Sequence, residues 1–435
     1  MRVTATSGAA ASQTANADDL LFRLGEARDF PLTATIEIAD RCNEVCVHCY
    51  QVQGKKGEMT TEQVKRVMDE LAGLGVLMLC ISGGEATLRR DFLELVEYAS
   101  GLGFSITLFT NGLTMSKELA RALARLNVRE VQISLYSPRP EVHDWVTGVP
   151  GSWERTTRGV RYLVEENVRV RVKTPIMTVN GGDYRRYMRL ASDLGALFSL
   201  DQSVLMPRED GRRDPEAMAY PWELKQRIVS DPEIKRRAQI TGPRYKSNER
   251  PVCGACRTLH IEANGELRPC SQLEVACGNA SRDGIEASWK YDENVRTIRE
   301  LTWDDLHGCR ECDLRHYCSR CFATARAAGD ALGPYGAACA AAKTRYQSVH
   351  GRSPFDREVS PIGPYRQAAR GSFESFPDRI TPRDEELSAA LKWVRPEEGG
   401  APAPEASAMP GQLVKLRRPG KRPTWETVPS GAAPT

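Results

Sequence analysis

No stretch of this 435-residue chain approaches the ~18 consecutive apolar residues that a membrane-crossing helix needs. Residues 1–17 lack the basic start and apolar core of a secretion signal and are small and polar. Neither sign of charge is in surplus: 60 Lys+Arg face 57 Asp+Glu, a net +3. That balance gives nucleic acid or an anionic membrane no reason to bind. From these absences we expect a cytoplasmic protein with neither a membrane nor a nucleic-acid partner. Cysteine is what the chain does not lack, with thirteen. In a reducing compartment thiols do not pair into disulfides, so clustered cysteines point to metal or catalysis.

The length accommodates two or three domains at ~100–200 residues each. Residues 1–30 read as a disordered leader and a short helix. From residue 33 the pattern alternates. Strands are expected at 33–39, 76–82, 105–110, 130–135, 168–179 and 197–204. Helices are expected at 60–73, 87–102, 116–126, 153–166 and 183–194, and Thr60 with Gln63 can form a capping box. Apolar strands separated by helices indicate a parallel sheet covered on its outer face. Six units are too few for a closed eight-fold barrel and fit an open (β/α)6 one, spanning 31–205. Ligands of such sheets sit at the carboxyl ends of the strands.

The first strand delivers the chain into Asp40-Arg-Cys-Asn-Glu-Val-Cys-Val-His-Cys-Tyr50, with Cys42, Cys46 and Cys49 spaced C-x3-C-x2-C. Thiolates bind soft metals, and iron–sulfur clusters are normally held by four of them. A cubane on three cysteines keeps one iron open; a zinc or disulfide triplet is the plainer reading. One unit later stands Ser82-Gly83-Gly84-Glu85, either a tight turn or a close backbone approach with a carboxylate at a strand end.

The cysteine spacing followed by an aromatic residue, with Gly-Gly-Glu one unit on, resembles the radical SAM superfamily. In that family the open iron of a [4Fe-4S] cluster chelates S-adenosylmethionine, and an electron splits the sulfonium to give a 5′-deoxyadenosyl radical. The resemblance implies that Cys42, Cys46 and Cys49 ligate the cluster and that Gly83, Gly84 and Glu85 hold the methionine amine. Ala86 replaces the family's usual proline. Asn111 and Ser134 fall where the family meets the methionine or ribose; a turn and a strand-end hydroxyl are their plainer readings. Residues 143–148 read as a loop common in peptide-modifying members. Lys173 and Asp201 either meet substrate or are solvated charges.

Residues 206–250, with five prolines, read as a linker with short helices. Nine cysteines follow in 251–345. Residues 256–270 read as a hairpin turning at Asn264-Gly265. C-x2-C-x5-C-x2-C then spans 309–321, with Cys339 beyond. A zinc ribbon is the competing account, although the gap from Cys256 to Cys309 exceeds the usual ~15–20 residues between ribbon pairs. The layout resembles the SPASM domain, a carrier of two auxiliary [4Fe-4S] clusters. The resemblance implies one cluster on Cys253, Cys256, Cys270 and Cys321, and another on Cys309, Cys312, Cys318 and Cys339. The step from Cys318 to Cys321 is one residue shorter than the family pattern. Cys80 is expected as core filler. Cys277 is expected as an alternative ligand or a thiol returning a hydrogen atom to a substrate radical. Residues 346–435 read as an irregular, largely disordered tail with a possible helix at 384–394 and a basic segment at 415–422.

The resemblance implies three [4Fe-4S] clusters and S-adenosylmethionine, a peptide substrate, a reductant such as flavodoxin or ferredoxin, and a separate leader-recognition protein. The expected function is maturation of a ribosomally made peptide by a thioether or carbon–carbon crosslink, or by epimerisation. A formylglycine-type sulfatase maturase fits less well, because Ser271 stands where those enzymes place an Asp after the hairpin cysteine. A non-catalytic zinc-stabilised binding module is the remaining alternative.

Overall fold

The computed structural model describes residue 25, residues 30–201 apart from 178, residues 222–237, and residues 258–351 apart from 274, 328 and 329. It also describes the backbone of 414–417 and 424–427. Expectations for 1–24, 202–221, 238–257 and 384–394 lie outside the described residues, and with them Cys253 and Cys256.

Six strand–helix units run as expected. The strands are β1 Thr33–Ala39, β2 Met78–Gly83, β3 Ser105–Thr110, β4 Glu130–Ser134, β5 Val170–Pro175 and β6 Leu197–Asp201. Between them lie α1 Thr61–Gly73, α2 Phe92–Gly101, α3 Lys117–Arg125, α4 Pro140–Thr147, α5 Ser152–Glu165 and α6 Tyr184–Asp193. Thr60 and Gln63 make the capping box that starts α1. Neighbouring strands pair in parallel in the order β6-β5-β4-β3-β2-β1, so the barrel stays open.

The sheet does not end at β1. After α7 Trp222–Ser230 and α8 Pro232–Arg237, the hairpin β7 Thr258–Ile261 and β8 Leu267–Arg268 adds to it, with β7 parallel to β1. The cysteine-rich unit therefore shares the barrel's sheet. Its remainder is helical: α9 Ile285–Tyr291, α10 Glu293–Glu300, α11 Phe322–Ala327 and α12 Gly336–His350. In the tail, β9 Val414–Arg417 and β10 Thr424–Thr427 pair antiparallel where an irregular chain was expected.

The strands alternate, and this corrects the reading of them as continuously apolar. Ile36, Ile38, Leu79, Ile81, Val131, Ile133 and Val172 are fully buried beneath Val64, Met68 and Leu71 of α1, Leu95 of α2, Leu123 of α3 and Leu163 of α5. Burying each such side chain stabilises the fold by roughly 1.5–3 kcal/mol. The other parity is polar: Thr35, Cys80, Thr107, Glu130, Gln132, Ser134, Arg171 and Lys173, mostly half-buried. Cys80 pairs with Thr35 and Thr107 on this inner face and is not core filler.

Two local departures have causes. The expected helix 87–102 is split into a short turn, Ala86–Leu88, and α2. Between them Arg89 is buried. Its guanidinium donates to Ile38 O at 2.7 Å and Met59 O at 2.9 Å and pairs with Asp91 at 2.7 Å. That guanidinium holds the Asp91 carboxyl well below the usual range. Residues 143–148, expected as loop, belong to α4, begun by Pro140 and ended by Gly148 at φ 72°.

Replacing Arg89 with Met leaves two buried carbonyls and Asp91 without their donor. We expect a loss of about 2–4 kcal/mol, read as a lowered urea midpoint with unchanged slope.

Candidate active site

The loop after β1 is tied down at both ends. Asp40 accepts from the backbone N–H groups of Lys56 at 2.6 Å and Gly57 at 3.1 Å, and its own carbonyl accepts from Gly54. Midway, Val45 N and Val47 N donate to Thr147 O and Val146 O at 2.9 Å, so the end of α4 is a shelf for the loop. Within it, Cys49 N donates to Cys46 O. Cys42, Cys46 and Cys49 are free thiols on this one loop, at the carboxyl edge of the sheet.

Gly83 and Gly84 are required by the loop's own backbone. A Cβ on Gly83 would lie 2.4 Å from Ala39 O, and on Gly84 2.5 Å from Arg41 O. Gly84 N and Glu85 N donate to Ala39 O and Arg41 O. Glu85, 1 % exposed, accepts from Thr87 N, Thr87 Oγ1, Thr110 Oγ1 at 2.8 Å and Asn111 N at 2.7 Å. Its carboxylate thus joins the ends of β2 and β3. Burial raises its pKa against those donors. Asn111 Nδ2 donates to Asn43 Oδ1 at 2.6 Å and lies 3.8 Å from Cys42 Sγ. Ser134 stands one strand further on, bonded to Tyr136. The structure therefore gathers Cys42, Cys46, Cys49, Gly83, Gly84, Glu85, Asn111 and Ser134 at one rim.

Three residues at this rim were given no site role by the sequence. Glu44, 2 % exposed, accepts from Cys46 Sγ at 3.2 Å, and burial pushes its carboxyl up to about 8. The Tyr136 hydroxyl lies 3.6 Å from Cys46 Sγ, and its ring meets His48 edge-on. His143 is fully buried and accepts from Tyr136 N at 3.1 Å through Nδ1. Burial pushes its pKa down to about 4, so the ring is neutral at pH 7. Glu44 was visible inside the cysteine motif and Tyr136 at a strand end; His143 needed the fold.

Among the described residues, no three His, Cys, Asp or Glu side chains converge on a point fit for one metal ion. The donor set nevertheless suits a larger cationic group. Burial, then Glu85, Glu44 and Cys49, push the Cys42 thiol up to about 12, against one backbone N–H from Glu44. Burial and the acids Glu44 and Cys49 raise Cys46 further. Acidic groups are thus concentrated with little cationic compensation, which a bound iron–sulfur cluster would supply.

In the cysteine-rich unit, burial and then the charges of Cys339, Cys309 and Cys312 push Cys318 up to about 12. Cys339 rises to about 11 by burial and the same neighbours Cys309 and Cys312. These four thiols therefore form one group. Arg320, 4 % exposed, favours the thiolates of Cys309, Cys318 and Cys339. Cys321 stands by Tyr335, whose hydroxyl accepts from Cys321 N at 3.1 Å. Cys270 packs against the main core.

Cys277 is not brought to the rim. It is 2 % exposed and packs with Leu259, Leu267, Trp289 and Val295 on the helix-covered side of the sheet. Its thiol lies 3.6 Å from Val275 O. This position argues against the hydrogen-donor role.

Comparison with known proteins accords with this geometry. Residues 36–194 match the radical SAM superfamily model, and 245–313 match the model of the SPASM iron–sulfur cluster-binding domain. A mycofactocin maturase, MftC of Mycobacterium tuberculosis, is 30 % identical over 293 residues, covering 62 % of this chain and 73 % of that protein. The chain belongs to the radical SAM superfamily. An AdoMet-dependent heme synthase of Methanosarcina barkeri is 27 % identical over 326 residues, 68 % of this radical SAM chain and 93 % of the relative. The crystal structure of Streptococcus suis SuiB bound to precursor peptide SuiA superposes with a TM-score of 0.57 at 16 % identity. It covers 74 % of this chain and 80 % of that one, a likeness of fold.

Two outcomes test the rim. Gly84→Ala forces the Cys42 loop outward. We expect a loss of roughly 1–3 kcal/mol and less iron retained on anaerobic reconstitution, with the far-UV circular dichroism unchanged. Tyr136→Phe removes a hydrogen-bond donor to the Cys46 thiolate. One such bond, ~0.5–1.5 kcal/mol, corresponds to about 20–60 mV if made only in the reduced state, so with Cys46 as a cluster ligand the midpoint potential falls by at most this amount in an EPR-monitored titration.

Proposed function

We propose that this radical SAM enzyme matures a ribosomally made peptide, installing a thioether or carbon–carbon crosslink. Two thiol groups in one chain carry the reading: Cys42, Cys46 and Cys49 at the barrel rim, and Cys309, Cys312, Cys318 and Cys339 in the unit that extends its sheet. The mycofactocin maturase likeness supports it. A structural neighbour of like fold that holds a precursor peptide supports it as well.

In this reading the rim thiols hold a cluster with one open iron, and the second set holds an auxiliary one. Cys270 and Cys321, with Cys253 and Cys256, are the ligands proposed for a third. When bound and reduced, the rim cluster supplies an electron that cleaves S-adenosylmethionine to the 5′-deoxyadenosyl radical.

The chain's own residues do the rest. Gly83 and Gly84 bring the backbone close enough to form the rim. Glu85 fixes the ends of β2 and β3, so Asn111 stands beside Cys42. Ser134 offers a hydroxyl at the neighbouring strand end. The polar inner face of the sheet receives the substrate below. A crosslink removes two hydrogens: one leaves as an atom to form 5′-deoxyadenosine, the other as a proton and an electron. The Cys309 set would hold the proposed acceptor of that electron. A flavodoxin or ferredoxin is the proposed reductant, and a separate protein the proposed reader of the leader.

The heme synthase likeness, which spans 93 % of that relative, favours a second reading, a tetrapyrrole substrate. One experiment separates them. Anaerobically reconstituted protein is given S-adenosylmethionine, dithionite and either the peptide encoded beside its gene or an iron-loaded porphyrin. The expected result is 5′-deoxyadenosine together with a peptide two hydrogens lighter. An unchanged peptide mass with one deuterium gained in heavy water would replace the crosslink with epimerisation. Conversion of the porphyrin alone would overturn the peptide reading, and absence of 5′-deoxyadenosine would overturn both.

A further inference from the structure

The inner face of the sheet carries several charges, and those whose partners are seen neutralise one another. Glu37 pairs with His260 at 3.3 Å and accepts from Gln51 at 2.6 Å. Glu130 pairs with Arg171 at 3.0 Å and Arg169 at 2.9 Å. At the β7 end, Glu262 pairs with Lys56 at 3.0 Å and Arg268 at 2.9 Å.

Lys173 differs. It stands on β5 opposite Ser134 of β4, and its chain reaches back across β4 to place Nζ 4.1 Å from the centre of the Phe109 ring on β3. Among the described residues its ammonium makes no hydrogen bond or ion pair. Burial lowers its pKa, while the charges of Cys80 and Asp201 act the other way. A lysine of a solvated surface extends into water, where hydration is strongest. This one is folded over an aromatic face, an arrangement that stabilises a cation without satisfying its three donors. The position is on the same face as Ser134, one strand from the rim where Tyr136 meets Cys46.

We infer that Lys173 is the anchor for a carboxylate of the substrate, held on the inner face between Phe109 and Cys80. The inference rests on the reading that this face receives substrate, and it adds the chemistry recognised there. The carboxylate completes the donors of the ammonium. Phe109 lies against whatever carries the carboxylate, and the anchored substrate is directed at the rim from below. Two sources offer such a group, the free C-terminus of a peptide or an acidic side chain.

Cys80, on the same face, is a built-in reporter. The cluster-loaded protein is treated with an anionic and a cationic methanethiosulfonate of similar size, and labelling of Cys80 is followed by peptide mass mapping. The ratio of the two rates cancels the thiolate fraction and reports the local field. With Lys173 nearby, Coulomb attraction and repulsion together favour the anionic reagent by about tenfold or more. Lys173→Gln brings the ratio to near one or below, and Lys173→Arg keeps it.

Next, the neighbour-encoded peptide is added as free acid and as C-terminal amide. Protection of Cys80 by the acid alone identifies the C-terminal carboxylate; equal protection by both identifies an acidic side chain. The inference is overturned by a Cys80 inert to both reagents, by a ratio near one in the unaltered protein, by a preference that survives Lys173→Gln, or by no protection from either peptide. None of these readouts needs turnover. Failure of the radical reading would appear separately, as missing 5′-deoxyadenosine from the unaltered protein.

Discussion

The rim of this barrel depends on one close approach. The chain leaving β1 crosses the end of β2 so tightly that Arg41 O and a Cβ at position 84 would be only 2.5 Å apart. No side chain fits, and the two N–H groups of residues 84 and 85 close onto the carbonyls of Ala39 and Arg41. The rest follows outward from that contact. Glu85 emerges buried, with its carboxylate facing the end of β3, where Thr110 and Asn111 satisfy it. Asn111, so placed, turns its amide toward Asn43 and Cys42. A run of three residues at the end of β2 thus positions a side chain at the end of β3 against a thiol of the loop after β1.

The second constraint is charge. Glu44, Glu85 and three thiols lie buried or half-buried at the rim, and Arg155 is the cation acting on Glu44. Burial and mutual repulsion push Glu44 and the Cys42 and Cys46 thiols toward their protonated forms; Glu44 at about 8 is the clearest sign. Thiols lose their protons on binding a metal, so under the proposed ligand role loading and deprotonation would be one event there. The auxiliary group is built differently, because Arg320 is buried among its thiols and already favours their charged form. In both sites burial still dominates, pushing Cys42 and Cys318 alike up to about 12.

Much of this was legible in the sequence. The six strand–helix units and the thiol loop rest on local signals: period, capping residues and Cys spacing. The alternation within the strands was harder to read, because Thr35, Cys80 and Thr107 are small enough to pass as interior residues. Cys80 was therefore assigned to the core when the register puts it on the polar face. Cys277 shows the reverse error. A spare thiol among cysteine ligands suggested chemistry, yet its place on the hairpin turns it under Trp289. The glycine pair was found for an incomplete reason, since what approaches it is the chain itself. His143 and Tyr136 meet through a contact between residues seven apart that exists only once α4 folds back. The parallel pairing of β7 with β1 joins segments more than 200 residues apart, beyond any local pattern.

That last pairing decides how the two thiol sites relate. Thr33 to Ile36 run in register with Thr258 to Ile261, and further bonds cross the same boundary: Met59 N to Ala263 O at 2.7 Å, Lys56 to Glu262, and Glu70 to Ile285 N at 2.7 Å. Lys56 follows the thiol loop directly, so the same segment that ties down Cys42 also ties down the hairpin of the cysteine-rich unit. A hinge between barrel and cysteine-rich unit would have to break a row of sheet hydrogen bonds and the Lys56–Glu262 ion pair together. A unit joined to the barrel through a shared sheet keeps its place against it. The extension of the barrel by β7 and β8 is therefore a positioning device, holding the auxiliary thiols at a set distance from the rim on which the radical reading rests.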